Sequence, residues 1–221
     1  MDALDQLADP AVVLLARVDD VLSRFGAPAG HPVWQALRRL RVLPGAALAA
    51  VAALRPDQPA AMSAALHRCA RGYADVAADL PTEVAWQGPA GSAYASRAGA
   101  FAAHLAGVPG GLADRLDATA GYTGALAGWQ RETRQAVAGT LAVALRSGEA
   151  VVLSATASPA GPTGLAVAAA EIGRLVLDTV AAAYDRAEAL LAEHAALADR
   201  AANAAASGGA GMIGGTLRID G

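Results

Sequence analysis

The chain has 221 residues, of which 55% are hydrophobic and 17% are charged, and its formal net charge is −3 at pH 7. A chain of this length and apolar content can bury a sizeable core, so disorder throughout is excluded. The negative charge gives no electrostatic basis for nucleic-acid binding, and the single cysteine, Cys69, allows neither an internal disulfide nor a multi-thiolate metal site.

Alanine supplies most of the apolar residues, and aromatic residues make up only 4% of the chain. Alanine has the highest helix propensity and lets helices pack closely, so the composition favours an all-α protein. We predict an elongated antiparallel helical bundle built on long helical hairpins. Its parts are an N-terminal helical cap over 1–56, a hairpin domain over 57–206 and a Gly-rich flexible tail over 207–221.

The first quarter of the chain predicts three helices. Apolar residues recur every three or four positions over 10–25, and the GAPAG sequence at 26–30 ends that pattern. A second helix is expected over 31–43 and a third over 46–54. The basic cluster in the second helix is interpreted as a solvated face; its members are Arg38, Arg39 and Arg41.

Residues 59–80 carry the most regular apolar pattern of the chain. Spacings of four and three alternate along the stripe Met62, Leu66, Cys69, Tyr73, Val76 and Leu80. This is the a/d spacing of a coiled-coil seam, so we expect the stripe to pack against a partner helix. The segment 89–108 is the first candidate for that partner, and Cys69 is expected to be a small core residue.

A turn separates these two segments at 81–91, PTEVAWQGPAG. Gly88 accepts backbone angles closed to other residues and Pro89 suits the first helical position, so Gly88 is predicted to be a helix N-cap. Trp86 is expected to fold back onto both helices, burying much of its indole while the ring N–H donates to a backbone carbonyl.

Two long helices are predicted in the rest of the chain, over 112–146 and 165–206. The connection between them, 147–164, is rich in Gly, Pro, Ser and Thr, and Val151–Leu153 is expected to be a short extended piece within it. If the two helices pair antiparallel, the rise per residue puts Tyr184 beside Trp129 and away from Trp86.

Trp86-Gln-Gly88 between two amphipathic helices resembles the WXG superfamily, whose helical members, with the related PPE type, are exported by type VII (ESX) secretion. A second signal of that superfamily is Tyr-x-x-x-Asp/Glu, which Tyr184 to Glu188 matches. The lysine-free, Ala- and Arg-rich composition also fits actinobacterial coding. The amino terminus lacks the basic start and apolar core of a cleaved signal peptide, as expected for a signal-peptide-independent route.

The resemblance implies a non-enzymatic, secreted or cell-surface protein that is cytoplasmic before export. It also implies a helical WXG-like partner or self-association, and an export ATPase or chaperone that reads Trp86, Gly88, Tyr184 and Glu188. A cytoplasmic helical scaffold or chaperone for such substrates is the alternative. A toxin or other enzyme and a membrane-active protein are less favoured, because no polar constellation suggests a pocket and the amphipathic helices lack lysine.

No residue pattern predicts catalysis, a cofactor or a metal site. The four histidines stand singly, without a second histidine three or four positions away. The Gly209–Gly214 match to GxGxxG follows a helix and not a strand, so it is discarded as a nucleotide site. The longest uncharged run, 150–170, contains prolines and glycines that would interrupt a membrane span, so none is expected.

Overall fold

The computed structural model describes residues 2–81, 85–107, 109–155 and 161–197. Over these residues the chain forms eight α-helices and no β-strand, which confirms the prediction of an all-α helical bundle. The helices are α1 (Ala3–Phe25), α2 (Val33–Leu40), α3 (Pro44–Ala52), α4 (Asp57–Asp79), α5 (Pro89–Ala106), α6 (Leu112–Ala144), α7 (Gly148–Ser154) and α8 (Gly161–Glu193). The expected tail, 207–221, lies outside the described residues.

The helices divide into two compact units. Among the described residues, unit 1 contains 2–57 and Leu126–Glu188, and unit 2 contains Gln58–Ala125 and 189–197. Each unit therefore combines separate stretches of sequence, whereas the division predicted from the sequence, at 56 and 206, used continuous segments.

Unit 1 has a core of large aliphatic side chains. They come from α1, α2, α3, α7, the second half of α6 and most of α8; those almost fully buried include Leu4, Leu15, Val18, Val33, Leu141, Ile172 and Leu177. Such side chains each contribute roughly 1.5–3 kcal/mol when removed from water. Packing of this kind holds the three N-terminal helices against α6 and α8.

A buried arginine on α6 connects the start of α1 to the end of α3. Arg134 is 5% exposed, and it donates to Asp2 Oδ1 at 3.0 Å, to Asp5 Oδ1 at 2.6 Å and to the carbonyl of Ala52 at 2.9 Å. Asp2 and Asp5 also form a reciprocal capping box at the start of α1. One side chain thus satisfies acceptors on two other helices of unit 1.

Unit 2 packs its helices through small residues spaced seven apart. On α4 the buried residues are Ala70 and Ala77, and half-buried Ser63 continues the line and donates to the carbonyl of Ala120 at 2.8 Å. The same spacing recurs in the buried residues Gly91, Ala98 and Leu105 of α5, and Ala113 and Ala120 of α6. Seven residues are close to two helical turns, so each set forms one narrow line along its helix.

The stripe predicted to be the seam of α4 is mostly exposed, and only its two leucines are half-buried. Met62, Tyr73 and Val76 are 57%, 40% and 51% exposed, and Cys69 is exposed and not in a core. The period of the prediction was right, but alanines one position away are buried instead. Small side chains allow close helix approach, which a pattern weighted towards large apolar residues does not anticipate.

The connection between α6 and α8 contains a helix where an extended piece was expected. Val151 to Leu153 lie in α7, which Ser147 caps by accepting a hydrogen bond from the amide of Ala150 at 3.2 Å. Ser at the N-cap followed by Glu149 in the first turn is a helix start signal that outweighs the β-branched valines. Leu153 is buried in the core of unit 1.

No single helix of the described chain is long and apolar enough to cross a membrane. Taken together across a bend of 71°, α6 and α7 meet the length and composition requirements.

Candidate functional site

The turn before α5 has the backbone conformation that its sequence predicts. Gly88 is the N-cap of α5, with φ of 105° and ψ of 179°, and Pro89 occupies the first turn of the helix. This backbone region is open almost only to glycine, so the prediction for Gly88 is confirmed and has a steric reason.

The indole of Trp86 has a different setting from the one expected. It is 52% exposed, its ring centroid lies 5.8 Å from that of Tyr94 on α5, and it donates to no described carbonyl. The other two tryptophans make such bonds: Trp34 donates to the Pro28 carbonyl at 3.1 Å and Trp129 to the Ala183 carbonyl at 2.8 Å. Trp86 therefore buries about half of its surface and presents the other half, and the hydrogen bond from its ring N–H stays a prediction.

Tyr184 and Glu188 lie one turn apart on α8, and both are exposed. The bond from Trp129 to Ala183 places Tyr184 next to Trp129. Further along α6, Thr140 bonds to Thr179 of α8, so the two helices run antiparallel, as predicted. Between the two motif residues, Asp185 forms an ion pair with Arg39 of α2. The basic cluster is therefore partly tied to α8 and is not wholly a solvated face.

A cavity of about 400 Å³ lies in unit 1 beside Tyr184 and Glu188. Helices α2, α3, α6 and α8 and the segments after α2 and α3 line it, and most of its wall is apolar. It is open to solvent on the side where Ala50 and Tyr184 are exposed. The full lining is Arg39, Leu40, Val42, Ala46, Ala47, Ala50, Val51, Leu54, Trp129, Thr133, Val180, Ala183, Tyr184 and Glu188. Both volume and lining fall within the range typical of small-molecule sites.

Charged groups of both signs lie at the edge of this cavity. The hydrogen bond with Asp185, and then its charge, raise the pKa of Arg39, while Arg39 lowers the pKa of Asp185. Both side chains are about half exposed, so solvent weakens the pair. Glu188 also acts on Arg39 through its charge but forms no salt bridge with any described residue. Arg186 also lowers the pKa of Asp185 through its charge, so positive and negative groups balance at this edge.

A side chain next to the cavity has a hydroxyl that is buried away from solvent and has no hydrogen-bond partner among the described residues. Thr133 is 2% exposed, and its Oγ1 makes no hydrogen bond with the described part of the chain. A threonine in a helix normally donates to the carbonyl four residues earlier, as Thr119 does to Arg115 at 2.8 Å. A buried hydroxyl without a hydrogen bond lowers the stability of the folded state, and such hydroxyls are uncommon in proteins.

The four residues predicted as signals fall into two groups. Trp86 and Gly88 belong to unit 2, and Tyr184 and Glu188 belong to unit 1. Sequence reasoning missed the cavity and the pairing of Arg39 with Asp185, which are separated by 146 positions in the chain. No motif in the sequence indicates either feature, because the residues that form each one lie far apart in the chain.

Over the described residues, His, Cys, Asp and Glu nowhere gather in a group of three that could hold a metal ion. Comparison of the chain with family models, with curated proteins and with solved structures found no match. The resemblance to the WXG superfamily therefore depends on Trp86, Gly88, Tyr184 and Glu188 themselves.

Proposed function

We propose that the chain is a non-enzymatic helical protein of type VII secretion, exported as a substrate that pairs with a small helical partner. Trp86, Gly88, Tyr184 and Glu188 are the residues read by the export machinery. The proposal combines the two sequence motifs with the way in which each helical unit presents its aromatic residues.

The observation that carries the proposal is the exposed apolar stripe of α4, together with the half-exposed rings beyond the turn. One side of α4 exposes four residues of the stripe, namely Met62, Cys69, Tyr73 and Val76. Outside α4, about half of the surface of Trp86 in the turn and of Phe101 on α5 is also exposed. Apolar residues at a/d spacing that are not buried in their own unit are suited to pairing with another helix.

Pairing through the exposed stripe is tested by introducing a charge on either side of the buried line of α4. Val76 and Ala78 are both exposed and flank buried Ala77. We expect V76D to abolish a one-to-one complex with the partner in light scattering coupled to gel filtration, because a carboxylate would be desolvated in the seam. The matched control, A78D, retains the complex. Equal complex formation by both variants would reject the stripe as the pairing surface.

Export is tested by comparing culture medium with cell pellet. Replacing Tyr184 by Ala should remove the protein from the medium, whereas L191A, which truncates another exposed side chain of α8, should not. Y184F keeps the ring and separates recognition of the aromatic face from recognition of the hydroxyl.

The same assay decides between export and the alternative, a cytoplasmic scaffold or chaperone for such substrates. A scaffold would form the complex and yet stay in the pellet in its wild-type form. That result would refute the substrate role while leaving the pairing surface of α4 intact.

A further inference from the structure

We propose that the outer face of α2 is a docking surface for an acidic helix of a partner protein. Trp34, Arg38 and Arg41 form this surface, which we call the α2 line. It shares no residue with the exposed stripe of α4 or with the four export residues, so the inference is independent of the proposed function.

The three residues of the α2 line lie on one side of the helix, and all are exposed. They are four and three positions apart, the spacing that places side chains above one another on a helix. The opposite side of α2 is occupied, since Val33 and Ala36 are buried in the core of unit 1. The α2 line therefore faces away from that core and is open to another molecule.

The chain around α2 has an excess of positive charge. Residues 21–56 contain five arginines and no aspartate or glutamate, although the net charge of the whole chain is −3. Three of these arginines form a salt bridge or bond to a backbone carbonyl, namely Arg24, Arg39 and Arg55. Arg38 and Arg41 form no salt bridge with any described residue.

The acidic residues at the end of α8 approach α2 on a different side. Asp185 bonds to Arg39, which lies about 100° around the helix from Arg38. Glu188 also acts on Arg39 through its charge, and Arg186 acts on the aspartate. These four groups balance, so they do not neutralise the α2 line.

Nearer the start of α2, the charged groups of α8 bond to one another. Arg174 pairs with Glu171 and with Asp178, and Glu171 also contacts His31. This cluster has one negative charge in excess, which is less than the two positive charges of the α2 line. An acidic partner would be attracted to the charge that remains.

The backbone at Arg41 also distinguishes the α2 line from an ordinary helix surface. Arg41 is the C-cap of α2 with φ of 56°, and among the described residues it is the one residue other than glycine with a positive φ. Glycine is favoured at such a position because it has no Cβ. Arginine there strains the backbone, and it adds a second positive charge one turn from Arg38.

The spacing of the two arginines indicates the form of the partner. Side chains one turn apart on a helix have Cβ atoms roughly 5–6 Å apart, so two carboxylates one turn apart on another helix would match them. The ring N–H of Trp34 already donates to the Pro28 carbonyl at 3.1 Å, which leaves its carbon atoms for an apolar side chain of the partner. A lipid surface fits less well, because α2 has eight residues and its apolar side is already buried.

Docking is measured by the fluorescence anisotropy of a labelled helical peptide titrated with the full-length chain. The acidic peptide is an alanine-based helix of about 18 residues, with two glutamates one turn apart and a leucine one turn beyond. Its control has glutamine in place of both glutamates. The acidic peptide should bind one-to-one and about threefold or more tightly than the control. Absence of saturable binding, or equal binding of the two peptides, would overturn the proposal.

Two double variants locate the surface. R38Q/R41Q should weaken binding of the acidic peptide about threefold or more, because both charge pairs are lost. R68Q/R71Q removes two arginines with the same spacing from exposed positions of α4 and should leave binding unchanged. Equal weakening in both would show a response to overall charge and would reject the α2 line as the site.

R41G separates docking from folding. Glycine is unstrained at this φ, so R41G should melt at or above the wild-type temperature in circular dichroism and yet bind the acidic peptide about twofold or more weakly. Binding as tight as that of wild type would remove Arg41 from the surface.

Other anionic partners are tested with phosphatidylglycerol vesicles and a single-stranded DNA oligonucleotide. The wild-type chain should bind both more weakly than it binds the acidic peptide. Tighter binding of either one, lost in R38Q/R41Q, would assign the arginines to lipid or nucleic-acid phosphates and overturn the protein partner.

Discussion

At the scale of single residues, Arg134 has the most consequential environment in the chain. Its guanidinium is buried, but its partners Asp2 and Asp5 are about half exposed, so each ion pair is screened on one side by solvent. The carbonyl of Ala52 lies on the inner side of the cluster. Removing the arginine would leave these acceptors to find water or stay unpaired.

Replacement of Arg134 by Met should lower the free energy of unfolding by about 1–3 kcal/mol, since the Ala52 carbonyl loses its donor and two half-exposed carboxylates lose a screened ion pair. Urea denaturation followed by circular dichroism measures it. Arg146 is exposed and forms no salt bridge with the described residues, so R146M should stay within about 0.5 kcal/mol of wild type. A loss as small as in this control would show that the cluster contributes little.

The cluster of Arg134 with Asp2 and Asp5 also makes the folding stability depend on pH. The hydrogen bond from Arg134 is the main cause that lowers the pKa of Asp2 to about 2, from 3.8. Because the folded-state pKa is depressed, the stabilisation is complete above pH 3.8 and is lost as the pH falls through 2. Melting temperatures measured across this window should fall more steeply for wild type than for D2N, and parallel curves would contradict this role.

At the scale of helices, the sequence predicted where helices form better than which side they bury. The bounds of α4, α5 and α6 follow the expected segments closely, because Pro, Gly and capping residues act locally. Burial depends on how near a neighbouring helix comes, and Ala70 and Ala77 allow an approach that Met62 and Tyr73 do not. The cavity was beyond prediction for the same reason, since its walls come from segments far apart in sequence.

The small-residue line of α4 leads to a packing prediction. A70L should lower the melting temperature, with a loss of about 1–3 kcal/mol, because the larger side chain overpacks a position that is 2% exposed. The comparison is A74L at an exposed position of the same helix, which should change stability little. If A70L were neutral, α4 would not be closely packed along this line.

At the start of α5, the direction in which a Gly-to-Ala substitution changes the stability of the protein tests the backbone conformation of the turn. G88A should destabilise by about 1–3 kcal/mol, because alanine is strained at φ of 105°. G99A, in the interior of the same helix with open space around it, should instead stabilise by about 0.5–1 kcal/mol. Chemical denaturation measures both, and a stabilising G88A would mean that the turn has another conformation.

At the scale of the whole molecule, the two units differ in what they bury. The core of unit 1 contains Leu, Ile and Val, whereas the buried residues of unit 2 are mostly Ala and Gly. Apolar area removed from water is the dominant stabilising term, so unit 2 has less of it for each residue that it orders.

Hydrogen exchange should therefore resolve the units. Amides in the buried parts of α1 and of α8 between 166 and 183 should exchange more slowly than those in the middle of α4 and α5, by a factor of ten or more. Peptide-resolved mass spectrometry measures the difference. Uniform protection would indicate that the chain opens as one cooperative unit.

The exposure of Cys69 has a practical consequence for chemical labelling. It is the single thiol of the chain and lies on the stripe of α4 together with Tyr73 and Val76. A maleimide dye would thus attach at one site, on the surface proposed for pairing, without any mutation. The anisotropy of that dye would report a docked helix directly, and a bulky adduct there would block it.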